Sequence, residues 1–157
     1  MINKFKLFLK YLFLFVLGGS VYYGIEILYR GYSHFSMFIV GGLCFIIIGL
    51  LNEIFSWDMH IEVQTGIGLG AVLLLEFAAG CIVNLWLKLD VWDYSNLPMN
   101  LLGQICVPFA ILWIPIVVAA ILLDDYTRYF FFKEEKPRYN SWWFEKIKIL
   151  YLKKKNK

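Results

Sequence analysis

Residues 63–87 read VQTGIGLGAVLLLEFAAGCIVNLWL, twenty-five residues in which Glu76 is the one charged side chain. A helix needs about 20 mostly apolar residues to cross the hydrocarbon of a bilayer, and this stretch is long enough. Outward from it, charge is also absent from Tyr11 to Ile25, from Gly31 to Asn52 and from Tyr94 to Leu123. The chain therefore reads as four spans, at roughly residues 9–29, 35–56, 63–87 and 97–123. Among its 157 residues, 61% are hydrophobic and only 17% charged, whereas soluble domains average nearer 45–50% apolar and 25% charged. A disordered tail, a disulfide-stapled secreted module and a nucleic-acid domain are all poor fits to that composition.

The expected fold is all-α: an integral membrane four-helix bundle with both termini cytoplasmic. Orientation rests on the retention of Lys and Arg on the cytoplasmic side. Lys4, Lys6 and Lys10 precede the first span, and ten of the fifteen basic residues follow the fourth. That arrangement puts Arg30 to His34 and Lys88 to Asn96 outside, and Ser56 to Glu62 inside. The first span reads as a retained helix, because Gly18-Gly19-Ser20 is a poor match to a signal-peptide cleavage site and the apolar run continues past it. Cys44, Cys81 and Cys106 fall within spans at no metal-binding spacing and read as small packing residues. Residues 1–131 form the expected transmembrane domain and residues 132–157 a basic, aromatic cytoplasmic tail.

Helices in lipid associate through close packing of small residues. The glycines of the first three spans serve that purpose, and Gly66 and Gly70 form a small-xxx-small pair expected to pack within the bundle. Pro108 and Pro115 each remove a backbone donor and are expected to kink or loosen the fourth span.

The polar residues inside the spans carry the functional argument. Glu76 is the deepest, roughly 18 Å below Lys88 at about 1.5 Å per residue. Tyr22, Glu26 and Arg30 share one helix face at four-residue steps, as do Glu76, Gly80, Asn84 and Lys88. Asn100 and Gln104 share a face near the outer start of the fourth span, and His34 begins the second. A cluster of Glu26, Arg30, His34, Glu76, Asn84, Asn100 and Gln104 is thus expected in the outer half, while Asn52 and Glu53 lie near the cytoplasmic end. Two readings of that cluster stand side by side. In one, Glu26 pairs with Arg30, the amides bond across helices and Glu76 is protonated or bonded to Asn100 or Gln104. In the other, the groups line a pocket open to the outside, with Glu76 as a proton- or cation-responsive carboxylate. In the loop at residues 89–98, Trp92 and Tyr94 are expected to anchor at the membrane interface, with Ser95 or Asn96 capping a helix that starts near Pro98. Asp93 is the candidate for a lid that approaches Arg30 or His34.

Tyr22-Tyr23-Gly24-Ile25-Glu26 with Arg30-Gly31, His34-Phe35-Ser36-Met37 leading to Gly41-Gly42, Glu76-Phe77 with Gly80 and Asn84, and Trp92-Asp93-Tyr94-Ser95 with Asn100, Gly103-Gln104 and Cys106 form an ordered set. The chain resembles, on these residues and over about residues 18–115, the bacterial membrane proteins described as putative ABC transporter type IV, or CmpB-like. That resemblance implies a polytopic protein of the cytoplasmic membrane. The chain has no Gly-x-x-x-x-Gly-Lys-Ser/Thr loop, so any ATP hydrolysis has to come from a separate subunit. The loop from Ser56 to Glu62, short and acidic, offers such a subunit little docking surface.

From Ser141 to Leu152, Trp143, Ile147, Leu150 and Tyr151 recur at helical spacing among Lys146 and Lys148, before the run from Lys153 to Lys157. The expectation is an interfacial amphipathic helix on the inner leaflet, with Trp142 and Trp143 in the interface and Lys153, Lys154 and Lys155 drawn to anionic lipid. Partner binding is the other use of such a helix; nucleic acid is not an expected partner. Three function classes follow: a transport component, acting with a separate subunit or as a homo-oligomer; a non-catalytic envelope or lipid-binding protein; and an intramembrane enzyme. The last has no His-Glu-x-x-His, no Gly-x-Ser-x-Gly and no paired metal ligands behind it, with His34 and His60 on opposite sides. No enzyme activity, metal or cofactor is expected, and transport leads on the carboxylates and the resemblance.

Overall fold

A computed structural model describes residues 4–55, 59–144 and 146–147. It contains four helices long and apolar enough to cross a membrane, running Lys4–Arg30, Phe35–Ile54, Ile61–Trp86 and Val107–Phe132. The chain is a multi-pass membrane protein built as a helical bundle.

The first helix, α1 (Lys4–Arg30), stops at Gly31, whose left-handed backbone (φ 82°) lets its amide bond the Ile27 carbonyl at 2.8 Å, a helix ending that favours glycine. The second, α2 (Phe35–Gly49), is capped by His34, whose Nδ1 accepts from the Ser36 amide, and runs on through the short α3 (Leu51–Ile54). In the third span α4 (Ile61–Gly80) passes into a π-helical turn at Cys81–Trp86.

The fourth span departs from the expected 97–123. Residues 97–106 are apolar but not helical: β1 (Asn100–Leu101) pairs antiparallel with β2 (Ile105–Cys106), and only then does α5 (Val107–Phe132) begin. The cause is local. Asn100 donates to the carbonyls of Ser95 and Leu97 and accepts from the Gly103 amide, giving the backbone an alternative to helical bonding. Met99, Leu102 and Gly103 all have positive φ, which a right-handed helix excludes. Pro108 consequently lies in the first turn of α5, where it breaks no bond, while Pro115 is inside the helix and leaves the Ile111 carbonyl without its intrahelical donor. At its other end α5 runs nine residues past Leu123, because Asp124 and Arg128 pair with each other one turn apart.

In the bundle α2 is central, packing against α1, α4 and α5, whereas α1 meets α5 sparsely. Val40, Cys44, Ile48, Val72, Trp113, Val117 and Ile121 form the core between α2, α4 and α5. The α1–α2 seam is an exchange of glycines and rings: a Cβ at Gly18 would meet Phe45, at Gly19 the Phe38 carbonyl oxygen at 2.6 Å, at Gly41 Tyr22 and at Gly42 Phe15. Gly66 and Gly70, expected to pack within the bundle, instead have open space beside them and lie exposed on α4. The described part of the tail folds back on the end of the bundle where α1 begins. The Ile61 amide donates to the Asn140 carbonyl (2.9 Å), the Ser141 hydroxyl to Glu62 (2.6 Å) and the Tyr139 hydroxyl to Asp125 (2.8 Å). Trp142 and Trp143 are exposed; half of the expected interfacial helix, and Lys153, Lys154 and Lys155 after it, lie outside the described residues.

The seam predicts opposite outcomes for one substitution at two glycines. Gly19→Ala drives a methyl group into backbone and should destabilise the folded protein in detergent by about 1–3 kcal/mol, the usual cost of overpacking. Gly70→Ala should leave stability unchanged or raise it by up to about 1 kcal/mol, the helical preference for alanine. Thermal unfolding of the two variants beside the parent checks both.

Candidate functional site

A basic residue of α1 marks each end of the bundle, Arg30 at one and Lys10 at the other. At the Arg30 end, the loop between the third span and α5 is fastened from behind by two amides. Asn84, buried on the π-helical turn, donates to Gln104 Oε1 and accepts from the Val91 amide, both at 2.8 Å. Gln104 Nε2 donates to the Leu102 carbonyl, and its own backbone carbonyl accepts from the Trp92 indole at 2.9 Å. Trp92, expected at the lipid interface, is therefore buried (6% exposed), which follows from the need of a buried indole N–H for an acceptor.

Arg30 ties α1 to this loop, donating to the Val91 carbonyl at 3.0 Å and to Glu26 at 2.6 Å. Ser33 holds the second oxygen of Glu26. The expected Glu26–Arg30 pair is present. Asp93, expected to approach Arg30 or His34, instead closes its own turn, accepting from the Ser95 amide (2.8 Å) and hydroxyl (2.5 Å). Those bonds hold its carboxyl below the usual range, the Ser95 hydroxyl contributing most. Gly103 is required opposite this turn: with φ 69°, its Cβ would strike Ser95 Oγ and Asp93 Oδ1. His34 and Asn100 are exposed, one capping α2 and the other shaping the turn.

Glu76 bonds to neither Asn100 nor Gln104. Its carboxylate, 2% exposed, accepts from the Trp113 indole of α5 at 2.9 Å, and the Tyr94 phenol interacts with it from the loop. Burial, and then the nearby Glu76 charge, raise the Tyr94 hydroxyl above its ordinary pKa. Tyr22 stacks on Trp113 at 5.3 Å and Tyr94 on Phe109 at 4.5 Å. Together these groups wall a cavity of about 420 Å³ between α1 and α5, lined by Glu26, Arg30, Glu76, Tyr94 and Trp113 among others. Of the expected cluster, Glu26, Arg30 and Glu76 meet at this cavity, Asn84 and Gln104 hold the loop behind it, and His34, Asp93 and Asn100 stay outside. The aromatic walls were not anticipated; the one signal for them was Trp113, an indole donor in the middle of an apolar span.

The cleft continues toward the Lys10 end. A second cavity, about 270 Å³ and almost wholly apolar, shares Tyr22, Ile25, Trp113, Pro115 and Ile116 with the first and reaches Gly18, Gly41, Ala119 and Ala120. Beyond it Lys10 pairs with Glu53 and Glu134, Arg128 with Asp124 (2.5 Å) and Glu53 (2.7 Å), and Asn52 donates to Asp125 (2.7 Å). All of these residues but Asp124 line a third cavity of about 430 Å³. Asp124, Asp125 and Arg128 were missed because the span was ended at the first charge after Leu123; their one-turn spacing was the available sign of a paired, buried set.

The Asp93 turn gives a pH test with a definite sign. A carboxyl held below its usual range stabilises its surroundings at neutral pH and loses that contribution as pH falls through the lowered value. Amide exchange at Ser95, corrected for intrinsic rates, should be slow at pH 7 and accelerate in acid. Asp93→Ala should exchange fast throughout, and Asp93→Asn, which keeps an acceptor oxygen, should remain slow in acid.

No curated protein and no solved structure matches the chain. A family model does, over residues 6–151, nearly the whole length. The chain belongs to the family described as Putative ABC-transporter type IV.

Proposed function

We propose that this protein is a transport component, the membrane half of a permease, and that the cavity at the Arg30 end is its substrate site. The observation that carries the reading is Glu76. A carboxylate placed deep in a span costs on the order of 2.5–3.5 kcal/mol on insertion scales. This one borders a cavity large enough for a small molecule, where the Trp113 indole orients it and the Tyr94 phenol interacts with it. Glu26, Arg30, Glu76, Tyr94 and Trp113 are the lining residues of the proposed site; Asn84 and Gln104 position its loop.

In this reading the Arg30 end faces outward, the Lys10 end and both termini face the cytoplasm, and the membrane is the bacterial cytoplasmic membrane. Trp142, Trp143 and the lysines from Lys153 to Lys155 hold the tail against anionic lipid. The chain itself is no enzyme; energy comes from a separate subunit, for which the Lys10 end with its folded-back tail is the available surface. Pro115, lacking its backbone donor at the level of the cleft, is the position about which α5 bends to widen the cavity. The exposed Gly66–Gly70 face of α4 is the surface for a second copy or another subunit. One observation favours the alternative of a non-catalytic, lipid-binding envelope protein: the polar cavity is joined to an apolar one, as a headgroup and a tail require.

Native mass spectrometry of protein released gently from membranes separates the two. A transport component should carry an additional subunit or a small solute, with the solute lost in Glu76→Gln while annular lipid persists. A lone chain bearing one bilayer phospholipid at fixed stoichiometry, equally in both proteins, would instead establish the envelope reading.

A further inference from the structure

The chemistry of the cleft narrows its ligand. Four properties bear on the choice: net charge, the nature of the walls, the number of oxygen donors, and the shape beyond the head site. Glu26 and Arg30 cancel at 2.6 Å, and Arg30 is further committed to the Val91 carbonyl. Glu76 is different. Among the described residues no Lys or Arg pairs with it; its partners are the Trp113 indole and the Tyr94 phenol, both neutral. In its ionised form Glu76 gives the cavity one negative charge that no Lys or Arg among the described residues offsets.

Around that charge the walls are aromatic, with Tyr22, Tyr29, Tyr94, Phe109 and Trp113 lining the same space. Ring faces attract organic cations and accept their apolar bulk, as in the aromatic cages that hold quaternary ammonium groups. A metal ion is a poor match. Ca²⁺ takes six to eight oxygen ligands and Mg²⁺ demands an octahedron, and no group of three or more His, Cys, Asp or Glu is placed to hold one among the described residues. An anion would meet Glu76, and the one cation lining the space among the described residues, Arg30, is already paired with Glu26.

The apolar cavity supplies the rest. It continues directly from the head site through Ile25, Pro115 and Ile116 along the backbone of Gly18 and Gly41, and the small side chains of Ala119 and Ala120 leave it open. A water-soluble cation has no use for that extension, whereas an apolar tail lies in it out of water.

We infer that the joined cavities between α1 and α5 take an amphiphilic organic monocation, its quaternary or protonated-amine head against Glu76 among the aromatic faces and its tail in the glycine- and alanine-lined groove. The inference rests on the transport reading of the same cavity and adds the substrate class. Such a cation reaches the site as a free lipophilic solute or as an amine-headed lipid of net positive charge; the chemistry recognised is the same. A zwitterionic phospholipid is a poorer match, since its phosphate would add a negative charge beside Glu76 and the Arg30 guanidinium, bound to Glu26 and the Val91 carbonyl, keeps only its Nε–H unpartnered.

The test uses the full-length protein in detergent with radiolabelled tetraphenylphosphonium as the probe. Binding should saturate at one per chain. Dodecyltrimethylammonium should displace it at least ten times more effectively than tetramethylammonium, and dodecylphosphocholine and dodecyl sulfate should not displace it. Glu76→Gln, verified as folded by its unfolding temperature, should weaken binding ten-fold or more. Ala120→Leu, which fills the groove without touching the head site, should weaken dodecyltrimethylammonium at least five-fold, and it decides the matter should the Gln variant not fold. Absence of saturable binding, equal affinity in folded Glu76→Gln, unchanged dodecyltrimethylammonium potency in Ala120→Leu, or equal displacement by dodecylphosphocholine would overturn the inference. A copurifying amine-headed lipid displaced by the probe marks the membrane as the source; a site filled only by added probe marks a free solute. A neutral or anionic ligand retained through Glu76 would overturn the substrate class and leave the transport reading standing, whereas no Glu76-dependent ligand of any kind would overturn both.

Discussion

Lipid gives apolar side chains no reason to leave it, so a helix in a bilayer is held by the fit of its surface against a neighbour. In this protein that constraint is met most fully between α1 and α2, where Gly18 and Gly19 receive Phe45 and Phe38 while Gly41 and Gly42 receive Tyr22 and Phe15. No comparable exchange joins α1 to α5. The first helix is thereby committed to one partner, and the space along its other side becomes a cleft. Everything proposed about function concerns that cleft.

Its ends and its middle obey different physics. Polar groups close both ends: Arg30 bridges α1 to the Val91 carbonyl at one, and Lys10 bridges it to Glu53 and Glu134 at the other. About 20 residues of helix lie between these cations, which at 1.5 Å each is close to the ~30 Å thickness of the hydrocarbon. In between, the walls are apolar and aromatic, and among the described residues Glu76 is the buried carboxyl group. A carboxylate fixed by an indole from α5 couples α4 to α5 at the level where Pro115 weakens α5. Occupation of the cavity and the bend of α5 are thus parts of one mechanical element in the proposed transport cycle.

How much of this was legible without coordinates depends on the range of the determining interaction. The four spans were, because hydrocarbon thickness and charge-free length decide them. The Glu26–Arg30 pair was, because one helical turn fixes it. The start of α5 was not: the apolar run at 97–106 looks like a span by composition, and only the bonds of Asn100, together with three consecutive-region residues of positive φ, turn it into a hairpin. That error carried Asn100 and Gln104 onto a helix face that does not exist, and left Trp92 and Tyr94 as lipid anchors when one is buried and the other faces Glu76. The far end failed for the opposite reason. Asp124, Asp125 and Arg128 look like the end of a membrane segment, yet charges lie within a bundle when other elements meet them, here Glu53 at Arg128 and Asn52 at Asp125. Long-range partnership is what charge counting along a chain does not register.

The central claim is that the α1–α5 cleft is a ligand-accessible space whose head site opens to water at the Arg30 end, and not a seam filled by annular bilayer lipid. Thiols react with methanethiosulfonates as thiolates, which form in water and not in hydrocarbon, so single cysteines read the difference. In a background without Cys44, Cys81 and Cys106, cysteine replaces Ile25, which lines both cavities at the Arg30 end, or Leu74, exposed on the opposite surface of the bundle on α4. The account predicts that Ile25→Cys reacts with a membrane-impermeant reagent added outside intact cells while Leu74→Cys does not. Equal inertness of the two would contradict it.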